Sequence, residues 1–407
     1  MNKRKVPKLR FKGFTDDWEQ RKLGELAEIK DSARIPNAEW SESGVPYIRA
    51  SDITNEDASG VLFISHERYE FYKNKTGAPA KGDVLFNGGG EIGKTMLNSS
   101  DSPIYVQGGA VLYARTSVSD SLDGQYLKTY FETPNAQHYF ETASAGGTMK
   151  HFTLKPSQEM PIKIPKIEEQ KRIGECFSEL DNLITLHQRK LEKLKIIKKS
   201  MLENCFPKNG EKIPKFRFDG FSGDWEQRKC GDMTVELSEY ETLQSGYPLL
   251  TSSRNGLMFQ NEFRDKTSTD NDETLFSVVP YGKCTYRHMS DDNIFHFNIN
   301  TITENGLVSR EYPVFDASED CNLSFLIQYL NSSPEFTKFC SQRKLGGTRT
   351  RLYYKNLCDF NIFAPSKDEQ DKIANYLENI DNLITLHQRK LEKLKVVKKS
   401  MLESMFV

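Results

Sequence analysis

One stretch of this chain is written twice. Residues 181–203 read DNLITLHQRKLEKLKIIKKSMLE and residues 381–403 read DNLITLHQRKLEKLKVVKKSMLE, identical at 21 of 23 positions. Core packing tolerates hydrophobic exchange and does not demand identical surface residues. Identity at Gln188, Arg189 and Glu192, and again at Gln388, Arg389 and Glu392, therefore points to two helices that meet the same partner through those six residues. The duplication is wider than the helix. PKLRFKGFTDDWEQRKLG from Pro7 recurs as PKFRFDGFSGDWEQRKCG from Pro214, and Pro165 with Glu169-Gln170 recurs as Pro365 with Glu369-Gln370. Gly146-Gly147-Thr148 recurs as Gly346-Gly347-Thr348, whereas residues 30–145 and 237–345 share almost no likeness. A period near 200 is too long for a solenoid. The pattern is domain duplication followed by divergence of the variable parts.

The repeated run predicts a long helix. No proline falls between Ile167 and Glu203, and Ile173, Phe177, Leu180, Ile184, Leu191, Leu194 and Met201 alternate three and four apart, with His187 and Lys198 filling two seam positions. The second copy keeps the frame, so both read as coiled-coil helices. Ser366 with Glu369 forms a capping box for the second helix, and Pro207 and Gly210 mark the exit of the first. Residues 167–184 carry five acidic and two basic side chains, residues 185–203 two acidic and six basic, and the second helix repeats these counts. Parallel pairing would oppose like charges, so the helices are expected to run antiparallel. Each helix should be roughly 55 Å long, holding a variable domain at either end of a rod with a pseudo-two-fold axis. The expected fold is α+β: two mixed α/β domains, residues 1–165 and 207–365, separated by two long antiparallel coiled-coil helices, residues 166–206 and 366–407.

Length predicts two or three domains. There is no 18-residue apolar run and no cleavable apolar leader, which argues for a cytoplasmic protein rather than a membrane or secreted one. Seven cysteines without a C-x-x-C pair suit reduced thiols, not a disulfide or zinc framework. The formal net charge of −1 is compatible with a nucleic-acid partner, because acidic surfaces can offset a basic face.

Catalytic signatures are scarce. Gly88–Thr95 fits G-x-x-x-x-G-K-T after a strand-like Val84-Leu85-Phe86, yet a phosphate-binding loop must open a long helix. The sequence that follows is a poor helix ending at Pro103. A glycine turn offering the backbone of Gly89 and the amine of Lys94 to a DNA phosphate is the better reading. No H-E-x-x-H spacing, no G-x-S-x-G elbow and no Asn/Asp-Pro-Pro-aromatic tetrapeptide occurs. Strands are expected at Pro46–Ile53, Asp83–Phe86 and Ile104–Arg115, with helices at Leu122–Phe131 and Asn135–Thr142. The second copy should have strands at Leu275–Val279, Ile294–Ile302 and Glu311–Phe315 and a helix at Leu323–Leu330. Polar residues stand where loops leave these strands: Arg49, Ser51, Asp52 and Asn87 in the first region, Ser253, Arg254, Asn255, Arg287 and His288 in the second. Arg and Asn match guanine and adenine edges. The glycine pairs lead into Thr148, Lys150 and His151 and into Thr348, Arg349 and Arg351. Taken singly, each of these is more often an ordinary solvated residue.

PYIRASDI at Pro46–Ile53, KGDVLFNGGGEIGKT at Lys81–Thr95, the two GGT turns, the P-x-x-x-E-Q helix starts and LITLHQRKLEKLK together resemble the specificity subunit of type I restriction–modification enzymes, over the whole chain. The second region departs from the pattern, with YPLLTSSRN and TLFSVVPYGKCTYRH in the corresponding places. The resemblance implies a non-catalytic subunit reading a split, asymmetric sequence in double-stranded DNA, one half per domain. It implies two modification subunits that flip an adenine for N6-methylation by S-adenosylmethionine, and two restriction subunits that use ATP and Mg. No cofactor or metal is expected on this chain. A bivalent coiled-coil adaptor without DNA specificity, or a self-sufficient ATPase or nuclease, are the alternatives.

Overall fold

The computed structural model describes residues 6–55, 62–146, 150–208, 210–263, 273–343 and 349–406. The chain forms two compact units, Met1–Arg189 with Gln388–Val407, and Lys190–His387. The boundaries expected from the repeat set the helices apart from the domains; the compact units instead divide each long helix. The reason is packing: Ile173 and Phe177 share an apolar core with Met405 and Phe406, whereas Phe206 joins the core that holds Phe325 and Leu377.

The long helices are Ile167–Asn204 and Lys367–Ser404. Within the first unit, Lys398 reaches Asp181 at 2.6 Å; within the second, Lys198 reaches Asp381 at 2.6 Å. Both contacts join the acidic half of one helix to the basic half of the other, so the pairing is antiparallel, as the charge pattern demands. Gly174 is explained by a close approach, since a Cβ there would stand 3.0 Å from the Tyr126 amide.

Both units use the P-x-x-x-E-Q start in the same way. Glu169 is 1% exposed and binds Arg10 through two contacts of 2.7 Å. Its counterpart Glu369 binds Arg217 at 2.8 and 2.7 Å, so its carboxylate serves the preceding arm and not the capping box expected with Ser366. Gln170 accepts from the Asp123 amide at 3.0 Å and donates to the Ser121 carbonyl at 2.9 Å, and Gln370 accepts from the Asn322 amide at 3.0 Å. Each glutamine thereby staples the loop that opens the short helix packed on the long one. The repeated DWEQRK supplies a buried tryptophan, Trp18 or Trp225, and a strand: Glu19–Lys22 pairs antiparallel with Pro161–Ile164, and Glu226–Lys229 with Asn361–Ala364. The Leu9 amide donates to the Ser404 carbonyl at 3.0 Å, and the Phe216 amide to that of Asn204 at 2.9 Å.

The variable regions share a topology that their sequences hide. In the first unit a four-stranded antiparallel sheet runs in the order Ile29–Asp31, Val111–Ala114, Val84–Asn87, Thr95–Leu97. In the second the order is Thr234–Glu236, Val314–Ala317, Cys284–Tyr286, Phe297–Ile299, again antiparallel throughout. The first unit adds a sheet of Trp40–Ser41, Phe63–Ile64, Val45–Ile48 and Tyr105–Val106; the second adds Tyr240–Glu241, Phe276–Pro280 and Asn305–Ser309. Helices Gly124–Phe131 and Pro134–Ala143, capped by Asp123 and Thr133, match Leu323–Ser332 and Pro334–Gln342, capped by Asn322 and Ser333. Four strand expectations are corrected, among them Glu311–Phe315, which begins only at Val314 and runs on to Ala317. The strand read over Pro46–Ile53 stops at Ile48, because Asp52 accepts from the Arg49 amide and opens helix Ala50–Thr54. That read over Ile104–Arg115 is two strands divided at Gln107–Ala110, and Ile294–Ile302 narrows to Phe297–Ile299.

Candidate nucleic-acid interface

The glycine turn Gly88–Lys94 joins strands Val84–Asn87 and Thr95–Leu97 as a hairpin, and a strand follows Lys94 where a phosphate-binding loop needs a helix. Its amides are mostly committed inside the protein. Gly88 and Gly89 donate to the Ala110 carbonyl at 2.9 and 3.1 Å, and Gly93 donates to that of Asn87 at 3.1 Å. The reading of Gly89 as a backbone phosphate donor is therefore corrected. The fold requires Gly88, since a Cβ there would lie 2.4 Å from the Phe152 carbonyl oxygen, and Gly93, whose φ is +82°. The Lys94 side chain is 56% exposed, with Glu91 3.8 Å away.

Four other candidates are structural. Asn87 is fully buried and donates to the Ala50 carbonyl at 2.9 Å and to Thr54 Oγ1 at 3.2 Å. Asp52 is 4% exposed and holds Arg49 Nε at 3.0 Å and Nη2 at 2.7 Å, which leaves Arg49 half-buried and committed to the turn it braces. His288 is 2% exposed, stacked on Tyr353 with ring centroids 5.7 Å apart, and burial lowers its pKa against the opposing pull of Glu311. Sequence alone marks these residues as polar and not as buried.

Ser51, Lys150 and His151 are exposed. His151 pairs with Ala145 and lies against Gly89, and a cleft of about 840 Å³ brings Gly90, Lys150 and His151 together with Gln137, His138 and Glu141 of helix Pro134–Ala143. Those three helix residues escaped the sequence reading, which sought function at strand ends. Thr148 and Thr348 lie outside the described residues.

In the second unit the candidates converge on one edge. Ser253, Arg254 and Asn255 form the turn between strands Leu250–Ser253 and Gly256–Phe259. Strand Thr350–Arg351 pairs with Met289–Ser290. Arg254 Nη2 meets Asp292 at 2.6 Å, Arg349 Nε meets Asp291 at 2.8 Å, and Arg287 and Arg351 are exposed. A small cavity of about 90 Å³ is lined by Arg254, Arg287, Asp291 and His296. The two edges correspond: Phe152 donates its amide to the Gly88 carbonyl, and Leu352 to that of His288, both at 2.8 Å. The glycine turn and the turn after His288 are thus equivalent positions of one repeat.

Gln188, Arg189, Glu192, Gln388, Arg389 and Glu392 are all exposed. Beside them stand apolar side chains off the seam: Leu183 (46% exposed) and Leu186 (45%), with Leu383 (44%) and Leu386 (45%) in the second copy. Their identity in both copies was the available signal. Among the described residues no helix is long and apolar enough to cross a membrane, and no His/Cys/Asp/Glu cluster could hold a metal ion.

The chain is similar to the putative type I restriction enzyme MjaX specificity subunit of Methanocaldococcus jannaschii, at 23% identity over 95% of this chain and 92% of that protein. It is similar also to the MjaVIII specificity subunit of the same organism, at 23% identity over 95% of this chain and 91% of the relative. The crystal structure of the type I restriction–modification system S subunit from M. genitalium shares the fold, with a TM-score of 0.62 at 14% identity over 99% of both chains. The family model for the Type I restriction modification DNA specificity domain matches residues 15–196 and 295–396, one stretch in each half of the duplication. With the paired sheets and antiparallel helices described above, that match shows that the chain belongs to the type I restriction–modification DNA specificity family.

Proposed function

We propose that each compact unit reads one half of a split, asymmetric site in double-stranded DNA, and that the long helices carry the subunits that do the chemistry. The observation that carries this reading is one scaffold used twice under different surfaces. The sheet order, the arginine–glutamate clamp and the glutamine staple recur, while the polar residues at the candidate edges differ. A fixed frame with an exchangeable edge suits a reader of two unlike half-sites.

Lys94, Lys150 and His151 in the first unit, and Arg254, Arg287, Arg349 and Arg351 in the second, supply phosphate and base contacts. Phosphate contacts set affinity and register, and arginine forks on guanine set sequence. The exposed Leu183, Leu186, Gln188, Arg189 and Glu192, with their counterparts in the second helix, form the docking face for two modification subunits. These subunits flip and N6-methylate adenine with S-adenosylmethionine, and two restriction subunits add ATP- and Mg-dependent cleavage. This chain binds no cofactor and performs no catalytic step, and it works in the cytoplasm where the DNA lies.

The test is a domain exchange. Replacing residues 30–145 by the equivalent region of a relative, then mapping adenine methylation by the reconstituted complex, should rewrite one half-site and preserve the other half and the gap. If both half-sites change, the division of labour is wrong. If a gel shift with the modification subunit present shows no DNA binding, the adaptor alternative takes over.

A further inference from the structure

Asp291 and Arg349 form an ion pair that does little for stability. Their side chains are 63% and 52% exposed, and exposed pairs contribute little to folding. The pair is nonetheless carefully placed. Thr350 Oγ1 donates to Asn293 Oδ1, and Ser290 pairs with Thr350 across the short strands, so the backbone next to Arg349 is tied to the turn that carries Asp291. Asn293 takes a left-handed φ of 65°, which asparagine tolerates better than most residues and which closes this turn.

Asp291 takes the Arg349 Nε at 2.8 Å. An arginine held at Nε keeps both terminal nitrogens together as a fork, the arrangement that matches O6 and N7 of guanine. Arg254 is held differently: it gives its terminal Nη2 to Asp292, whose other oxygen accepts from Ser290 Oγ at 2.8 Å. That contact occupies one prong and belongs to the turn. In the equivalent hairpin of the first unit, Glu91 faces Lys94, a point charge without a fork.

We propose that Asp291 is a positioning residue: it pre-orders Arg349 so that the guanidinium forks onto one guanine in the half-site read by the unit Lys190–His387. The inference rests on the DNA-reading function proposed above. Ordering the arginine in advance lowers the entropic cost of fixing it on DNA.

The experiment is selection from a random duplex pool by the chain in complex with its modification subunits, with sequencing of the bound fraction. Asp291→Asn and Arg349→Lys are compared with the unaltered protein. Both should relax preference for the same G·C pair by about ten-fold, leaving the other half-site as it was. Removing a carboxylate from beside DNA acts oppositely on bulk affinity, raising binding to every sequence. A uniform rise in binding for Asp291→Asn with every base preference intact would overturn the proposal. So would relaxation at different base pairs in the two variants, which would make Asp291 a reader in its own right. Loss of preference in Arg349→Lys alone would show that the arginine needs no guide. Absence of any selected sequence with the unaltered protein would instead remove the DNA-reading function itself.

Discussion

Replacing Arg10 by alanine should open the start of the first long helix while the second unit stays closed. Glu169 is 1% exposed, and each of its oxygens meets Arg10 at 2.7 Å. Losing one partner of a buried pair leaves an uncompensated charge, at a cost of about 3–5 kcal/mol. The expected loss at pH 7 is therefore about 3–5 kcal/mol. Replacing Glu169 by glutamine in the same chain removes the charge and leaves one unsatisfied amide, so the loss should fall to about 1–3 kcal/mol at pH 7. Hydrogen exchange read by mass spectrometry over residues 167–177 measures each opening free energy, which suits a protein of two units better than one global transition. Arg217→Ala should reproduce the effect over residues 367–377 and spare 167–177. A loss under about 1 kcal/mol in Arg10→Ala, or a double variant less stable than the single one, would refute the account of the clamp as a buried charge that needs its partner.

The Asp181–Lys398 contact sets the acidic half of one helix against the basic half of the other; Lys398→Glu should loosen residues 177–189 in hydrogen exchange, and no change there would contradict the antiparallel pairing. In the first unit Lys128 and Glu132 complete a four-residue ion network with Asp181 and Lys398, whereas Gln328 and Ser332 stand in their places beside Lys198 and Asp381. Gln328→Lys alone should loosen residues 190–204 in hydrogen exchange, and adding Ser332→Glu should restore them. Burial raises the pKa of the Asp181 carboxyl, but Lys128 and Lys398 outweigh burial and hold it below the ordinary carboxylate value. Its contribution is thus present above about pH 4 and lost as pH falls through the lowered value, a loss that Asp181→Asn should abolish in acid unfolding curves. Lys94→Ala should weaken binding to all duplexes alike and reduce the salt slope by about one unit; an unchanged slope would take Lys94 out of the interface.

The helices were legible because their information is local. Seam spacing from Ile173 to Met201 fixes the buried stripe, and the acidic-to-basic gradient fixes direction. The sheets were less so. Strands such as Tyr105–Val106 or Thr350–Arg351 are two residues long, too short for alternation to register, and their partners lie far away in sequence. The common strand order of the two units could not be read from regions without likeness, because pairing is set by tertiary contacts and not by residue identity. The site suffered from a related blindness. Arg49, Asn87 and His288 look like recognition residues, yet Asp52, Ala50 and Tyr353 claim them. Burial decides between the roles, and burial is not written in a loop's composition. Arg349 was legible as a residue, but its aspartate guide 58 positions away was not.

The division of the long helices has a consequence for how the protein is made. The unit Lys190–His387 is one uninterrupted span, whereas the other needs Gln388–Val407 to be whole. Until residues 388–407 have been made, the cluster around Trp18 lacks Phe406, whose ring sits 6.1 Å from Trp18 and 5.6 Å from Tyr126. The half synthesised first therefore waits with an open apolar face while the half synthesised second already holds all its parts. A released chain truncated after His387 should show a protease-resistant second unit and a digestible first one, reversing the usual order in which the amino-terminal domain matures first.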